Sequence, residues 1–283
     1  MAEILKGAPV AEALTQKLIT DVEYLKEKGV VPTLAIVRVG ERGDDIAYER
    51  GATKRSEKIG IDVKHFLLPE DTNQDTLIKT LEDINVDKSI HGVLLFRPLP
   101  KHFDDNTVRN ALSPEKDIDG ITDASMAGVF TQNGLGYPPC TPAACMEVLD
   151  FYNIETTGKN AVVIGRSLVV GKPAAMMLIA KNATVTVCHT KTSDMPSVCK
   201  DADILIVSAG RAGVVDKEYL SEGQTVLDVG INVDDEGKMC GDVNFTDAEA
   251  IACNITPVPG GIGTVTSTVL AKHVVEAAYK TIE

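Results

Sequence analysis

The residues best suited to chemistry lie in two short stretches, GRSLVVGKP at residues 165–173 and CHTKT at residues 188–192. Residues 161–164 form an apolar run, Gly165 breaks it, and a second apolar segment from Pro173 has helical spacing, so a strand, a tight turn and a helix start follow one another. That order aims backbone N–H groups and the positive end of a helix dipole at one point, where a phosphate could sit. Gly165 would let the chain turn, Ser167 could hydrogen-bond a phosphate oxygen, and Gly171 would let the helix lie close to a ligand or a strand. The spacing departs from G-x-G-x-x-G, and a strand-turn-helix that binds nothing satisfies the same pattern.

In a dinucleotide-binding fold, an acid at the end of the second strand, about 20 residues past the glycine turn, selects NAD by holding the ribose 2′-OH. No acid stands there in this chain. The second strand runs instead into Cys188, His189, Thr190, Lys191 and Thr192, hydroxyl and cationic groups suited to a 2′-phosphate, and Arg166 in the turn could pair with the same phosphate. The set points to NADP over NAD. The competing reading makes Arg166 and Lys191 solvated loop residues.

The elements that would position these groups follow from periodicity. Residues 8–28 carry apolar residues at helical spacing and end at Gly29; residues 33–39 read as a strand; a helix over 46–58, with Asp44 or Asp45 as N-cap, ends at Gly60. A strand at 61–68, a helix at 73–84 and a strand at 92–96 complete a β-α-β-α-β series, which argues for a parallel sheet with right-handed crossovers. Residues 98–142 lose regularity and are rich in Pro, Gly and Asp, as a domain junction or site-forming loop would be. Beyond Gly165, a helix to about Ala180, strands at 184–188, 204–208, 225–229 and 254–258, and a helix near 195–202 give the layout of a doubly wound nucleotide-binding domain. A final helix over 266–282 would pack back on the first domain.

At 283 residues the chain is long enough for two α/β domains, each with its own core. A net charge of −13 disfavours nucleic acid as a partner, because neutralising phosphates takes a basic face. The six cysteines form no C-x-x-C pair and have no histidines at zinc-ligand spacing, so no metal site is expected and the thiols read as reduced. The first residues are acidic where a signal peptide would be basic, and no stretch approaches a membrane span. The expected compartment is the cytoplasm.

Further motifs appear in order along the chain: VG at 39–40 with Tyr48 eight residues on, RPLP at 97–100, KDIDG at 116–120, PCTP at 139–142, the GRSLVVGKP turn, DVGIN at 228–232 and TPVPGGIG at 256–263. Taken together they resemble the FolD-type methylenetetrahydrofolate dehydrogenase/cyclohydrolases over almost the whole length. The resemblance implies two α/β domains flanking a cleft, a folate-binding domain at 1–138 with the terminal helix 266–283 packed on it, and a Rossmann-like domain at 139–265. It implies a homodimer that interconverts 5,10-methylene- and 5,10-methenyl-tetrahydrofolate with NADP. By position, Gly165, Arg166, Ser167, Gly171, Thr190 and Ile231 would contact the cofactor, with Lys191 and Thr192 nearby. Asp119 would hold the pterin ring, Tyr48 would stack on or bond to it, Arg97 would lie at the substrate, and the turn of Pro259, Gly260, Gly261 and Gly263 would bring backbone close to it.

The family pattern after the tyrosine is Y-x-x-x-K, whose lysine activates the water that opens the methenyl ring. Here that position holds Ala52, and the glutamine that partners the lysine is replaced by Phe96. Lys54 points away from Tyr48 on a regular helix, and Arg55 returns to its side only two turns on. A third departure puts Thr264 where the family commonly has proline. Hydride transfer needs proximity and orientation but no lysine, whereas hydrolysis needs a group that manages protons. The expectation is therefore a dehydrogenase with doubtful cyclohydrolase activity. The alternatives are a bifunctional enzyme using Arg97 or Lys54 to activate water, or a binding protein that kept the scaffold without the chemistry.

Overall fold

The computed structural model describes residues 1–234 and 236–282. Two compact units divide the chain, one formed by residues 1–12 with 141–266, the other by residues 13–140 with the chain from Ser267 onward. A two-residue strand, β1 (Glu3–Ile4), opens the chain and is followed by helix α1 (Gly7–Glu27).

In the unit that begins at Ala13, strands and helices alternate as β2 (Thr33–Val39), α2 (Gly43–Ile59), β3 (Asp62–Leu68), α3 (Gln74–Val86) and β4 (Gly92–Leu95). The sheet order is β3-β2-β4, all parallel, with Thr33 opposite Asp62 and Leu34 opposite Gly92. Parallel neighbours cannot be joined by a hairpin, so each connection carries a helix. Every residue of β2 is buried, as in a central strand covered on both faces, while β3 shows the exposure of an edge. Leu77, Leu81 and Ile84 of α3 pack on Ala35, Val37, Val93 and Leu95 to form the core.

Arg38 is the exception in β2, a charge only 7% exposed. Its Nε donates to Glu49 Oε2 at 2.7 Å, its Nη1 to the Gly40 carbonyl, and Glu49 Oε1 also meets His65 Nδ1 at 2.9 Å. An unpaired buried guanidinium would cost about several kcal/mol, so the counter-charge that α2 delivers fixes how this helix docks on the sheet.

Two sequence expectations change here. The cap position of α2 is Arg42, which makes no side-chain cap bond, and Asp44 and Asp45 lie in the first turn, where they complement the helix dipole. Residues 98–142, read as irregular, hold α4 (Asp105–Asn110), α5 (Asp123–Thr131) and the start of α6 (Cys140–Phe151). Both short helices are started by side-chain caps, Asp104 accepting from Thr107 N–H and Thr122 from Ser125 N–H. They are too short to show a period.

The other unit continues with β5 (Asn160–Ile164), α7 (Gly171–Ala180), β6 (Thr184–Cys188), α8 (Met195–Lys200), β7 (Ile204–Val207) and β8 (Thr225–Asp228). A hairpin of β9 (Asn232–Val233) and β10 (Met239–Cys240) precedes α9 (Phe245–Ile251), β11 (Asn254–Ile255) and α10 (Ile262–Tyr279). Six parallel strands stand in the order β1-β11-β8-β7-β5-β6. From β5 the chain steps out to β6 and then crosses back to β7 on the other side, a reversal that makes the carboxyl ends of β5 and β7 a topological switch point. The participation of β1 in this sheet was hidden in the sequence, since two residues carry no period. Among the described residues no helix is long and apolar enough to cross a membrane.

Candidate active site

The turn after β5 is built from backbone. Gly165 has φ +120°, and a Cβ there would strike the carbonyl and hydroxyl of Ser208, which follows β7 and bonds back to the Ile164 carbonyl through its N–H at 2.8 Å and its Oγ at 3.0 Å. Gly171 opens α7 with its Cα against the carbonyl of Gly165, so a Cβ at either position would push the turn apart. Gly171 thus serves the turn itself and not a neighbouring strand. Ser167 Oγ accepts from Val170 N–H at 3.1 Å, which leaves its O–H able to donate outward.

Beside this turn, Gly165 N–H bonds the Cys188 carbonyl at 2.9 Å, tying the ends of β5 and β6. Residues 189–192 form a tight loop in which Thr192 Oγ1 accepts from His189 N–H at 2.9 Å and His189 Nδ1 from Lys191 N–H at 3.1 Å. Arg166, Thr190 and Lys191 are exposed, and among the described residues neither Arg166 nor Lys191 has an ion-pair partner. Two unpaired cations, hydroxyls and a turn with glycine at both ends suit a phosphorylated dinucleotide. Ile231 is 69% exposed, an apolar side chain held outward after β8.

Two buried acids that the motif reading did not single out organise this region. Asp228 accepts from the N–H groups of Gly230, Asp242 and Val243, each at 3.0 Å. Asp242 accepts from Gly210 N–H, Arg211 N–H and Asn232 Nδ2, each at 2.9 Å. Burial lifts Asp228 to about 6, opposed by the three N–H bonds and reinforced by the Asp242 charge. The available signal was the glycines at 230 and 241, whose Cβ atoms would collide with Asp242 and Asp228. In the PGGIG turn, a Cβ on Gly261 would meet the Pro257 carbonyl at 2.5 Å, and Thr264 N–H donates to the Gly261 carbonyl at 3.0 Å. A proline at 264 could not make that bond, which gives the departure at this position a physical meaning.

In the other unit, Tyr48 on α2 is 42% exposed and meets Phe96 edge-on, with ring centroids 5.9 Å apart and planes at 82°. Ala52, one turn on, is 2% exposed. Lys54 is exposed, and Arg55 donates to Thr15 Oγ1 at 3.3 Å. Arg97 is forked on Asp105, Nε to Oδ1 at 2.7 Å and Nη2 to Oδ2 at 2.5 Å. No group that can shed and regain a proton near neutrality comes from Ala52, Phe96 or Arg97.

Within KDIDG the work is divided. Lys116 Nζ donates to the carbonyls of Ile84 and Asp87 at 2.6 Å each, closing the end of α3. Asp117 is buried and accepts from Ile121 N–H at 2.9 Å and Thr122 N–H at 2.8 Å. Asp119 takes part in neither of these contacts. Although half-buried as a residue, its carboxyl is closely surrounded, and burial raises it to about 6; bonds from the Cys140 thiol and N–H pull it down, as does Arg97, while Asp117 pushes it up.

Compared with known proteins, residues 5–119 match the family described as tetrahydrofolate dehydrogenase/cyclohydrolase, catalytic domain, and residues 139–282 match the NAD(P)-binding domain of that family. A bifunctional protein FolD from Carboxydothermus hydrogenoformans is 52% identical over 279 residues, 98% of this chain and 97% of its own. The FolD structure from Campylobacter jejuni aligns with a TM-score of 0.96 at 34% identity, covering 99% of this chain and 100% of that one. The Trypanosoma brucei FolD, solved in complex with NADP cofactor and inhibitor, aligns with a TM-score of 0.92 at 32% identity over 100% of this chain and 99% of that one.

Proposed function

Because the chain belongs to the tetrahydrofolate dehydrogenase/cyclohydrolase family, we propose that it is an NADP-dependent 5,10-methylenetetrahydrofolate dehydrogenase whose cyclohydrolase step is weak. It is an enzyme of folate chemistry with an NAD(P)-binding domain. When bound, NADP supplies the hydride acceptor. Arg166, Lys191, Thr190 and Thr192 hold its 2′-phosphate, the turn carrying Gly165, Ser167 and Gly171 lets backbone N–H groups approach, and Ile231 gives an apolar contact. Asp119 accepts hydrogen bonds from the pterin ring, Tyr48 lies on it, and Arg97 and the turn of Pro259, Gly260, Gly261 and Gly263 line the substrate.

One observation carries the asymmetry between the two reactions: Tyr48 faces Phe96, and the helix position one turn on is the buried methyl of Ala52. Holding the folate carbon and the cofactor in place suffices for hydride transfer. Opening the methenyl ring requires a water made nucleophilic, work that general acid-base groups accelerate by about 10²–10⁴-fold. Arg97 does not replace the lysine, since a guanidinium keeps its proton and this one is held by Asp105. The fully bifunctional reading draws on relatives named bifunctional. The homodimer rests on the family resemblance. Two absorbance assays decide: NADPH formation from methylene-tetrahydrofolate separates enzyme from binder, and decay of methenyl-tetrahydrofolate with and without protein reads the second step. Enzyme-dependent hydrolysis as fast as the dehydrogenase step would overturn the weak-cyclohydrolase reading.

A further inference from the structure

One chain of contacts reaches the Asp119 peptide from the far end of the sequence. His273, on α10 and 3% exposed, places Nδ1 2.8 Å from the carbonyl oxygen of Ile118. A carbonyl only accepts, so the bond assigns the proton to Nδ1. Cys140 Sγ approaches the same oxygen at 3.4 Å. Sγ also lies 3.9 Å from Nδ1, but the single thiol proton is shared with the Asp119 carboxyl, so the firm donor to this carbonyl is Nδ1. The Tyr137 ring lies against the imidazole, with centroids 5.3 Å apart, and Lys280 Nζ sits 4.4 Å from the Tyr137 centroid, so the direction of Nδ1 is set by packing.

The Ile118 carbonyl and the Asp119 nitrogen belong to one planar peptide, so a bond that holds the oxygen also holds the Asp119 Cα. On the other side comes Gly120 at φ +64°, where a Cβ would meet the Tyr137 carbonyl and Pro139 nitrogen at 2.6 Å. Glycine there permits the turn but does not stiffen it. Asp117 secures Ile121 and Thr122, two residues further on.

We propose that His273 is a positioning residue for the folate: it holds the Ile118 carbonyl and so fixes the direction in which the Asp119 carboxylate meets the pterin ring. This rests on the folate-anchoring role assigned to Asp119 above. An asparagine amide returns a donor at the place of Nδ1, whereas leucine keeps bulk and loses the donor. Kinetics of NADPH formation, with methylene-tetrahydrofolate varied at saturating NADP, therefore compare His273→Leu, His273→Asn, Asp119→Ala and the wild type, with NADP binding by titration and thermal melts beside them.

The leucine variant should lose about tenfold in kcat/KM for the folate, mostly through KM, with NADP affinity unchanged within about twofold. The asparagine variant should stay within about threefold of wild type. Full activity in His273→Leu overturns the proposal. So does an equal loss in both variants when their melts match the wild type, or a parallel loss of NADP affinity. Should His273→Leu fail to fold, His273→Gln, whose longer amide donates from the place of Nε2 and not of Nδ1, poses the same question, and a folate KM equal to that of His273→Asn overturns the proposal. Absent turnover in the wild type, or retained turnover in Asp119→Ala, would instead overturn the functional reading.

Discussion

The turn after β5 and the face of α2 around Tyr48 offer ligands two different kinds of surface. The first is made of backbone: Gly165 and Gly171 are there because a Cβ would collide with Ser208 and with the turn itself, so the shape depends on what is missing from the side chains. The second is made of side chains, where the residues at 52 and 96 can differ while the helix still docks through Arg38 and Glu49. Backbone sites resist drift because nearly any substitution breaks the fold locally. Side-chain sites can lose one reaction and keep another.

The largest effect that would break this contrast is on the folate side. Asp119→Ala should lower methylene-tetrahydrofolate turnover by about 10³-fold, since a ring hydrogen-bonded in a buried site loses its acceptor, and should leave NADP affinity intact. A titration showing that both fall together would mean that the two surfaces are not separable.

Next comes the attempt to supply a water-activating pair at this face. Ala52→Lys with Phe96→Gln should raise methenyl hydrolysis by about 10²-fold, more than either single change. Ala52 is buried, so a lone lysine there would tend to lose its proton, and an amide at 96 is offered as its partner. Decay of methenyl absorbance measures the gain, and single changes that match the double would contradict the pairing.

On the cofactor side, Arg166→Ala should weaken NADP binding by about tenfold while NAD binding stays within about twofold, the size of one charge-assisted contact. Equal loss for both dinucleotides would place Arg166 elsewhere than at the 2′-phosphate.

The smallest effect is the pH dependence that Asp119 contributes on the folate side. Asp119 is raised from 3.8 to about 6, chiefly by burial, so between those values the native state holds a proton that the unfolded chain has released. Stability therefore falls as pH rises through this window, and the penalty is complete above about 6. Asp119→Asn should raise the melting temperature at pH 7.5 and change it little at pH 4. Turnover runs the other way: kcat/KM for the folate should drop below about pH 6, where the carboxyl stops accepting.

Much of this was legible in the sequence where a local rule applied. The strand at 33–39 is set by an unbroken apolar run, the break at Gly60 by the left-handed conformation it adopts at φ 93°, and the glycine turn by its flanking strand and helix. What stayed hidden depends on partners distant in sequence. The roles of Asp228, at the end of a strand, and of Asp242 show only when the N–H groups of Gly210, Arg211, Val243 and Gly230 are seen to surround them. His273 reads as one residue of an apolar helix, and its partner at Ile118 lies 155 positions away. The strand β1 pairs only with β11 and carries no signal of its own.

The two acids at 228 and 242 also tie together the ends of the stretch between them. Asp228 binds the N–H groups of Gly230 and Asp242 with one oxygen, and Asp242 takes Asn232, so the ends of the β9–β10 excursion are stapled together at its base. The entropy of closing a loop grows only slowly with its length, each doubling adding about 0.6 kcal/mol. With its feet tied, this hairpin is a place where the chain can be lengthened or a foreign segment grafted, and the carboxyl ends of the sheet would register almost nothing of the insertion.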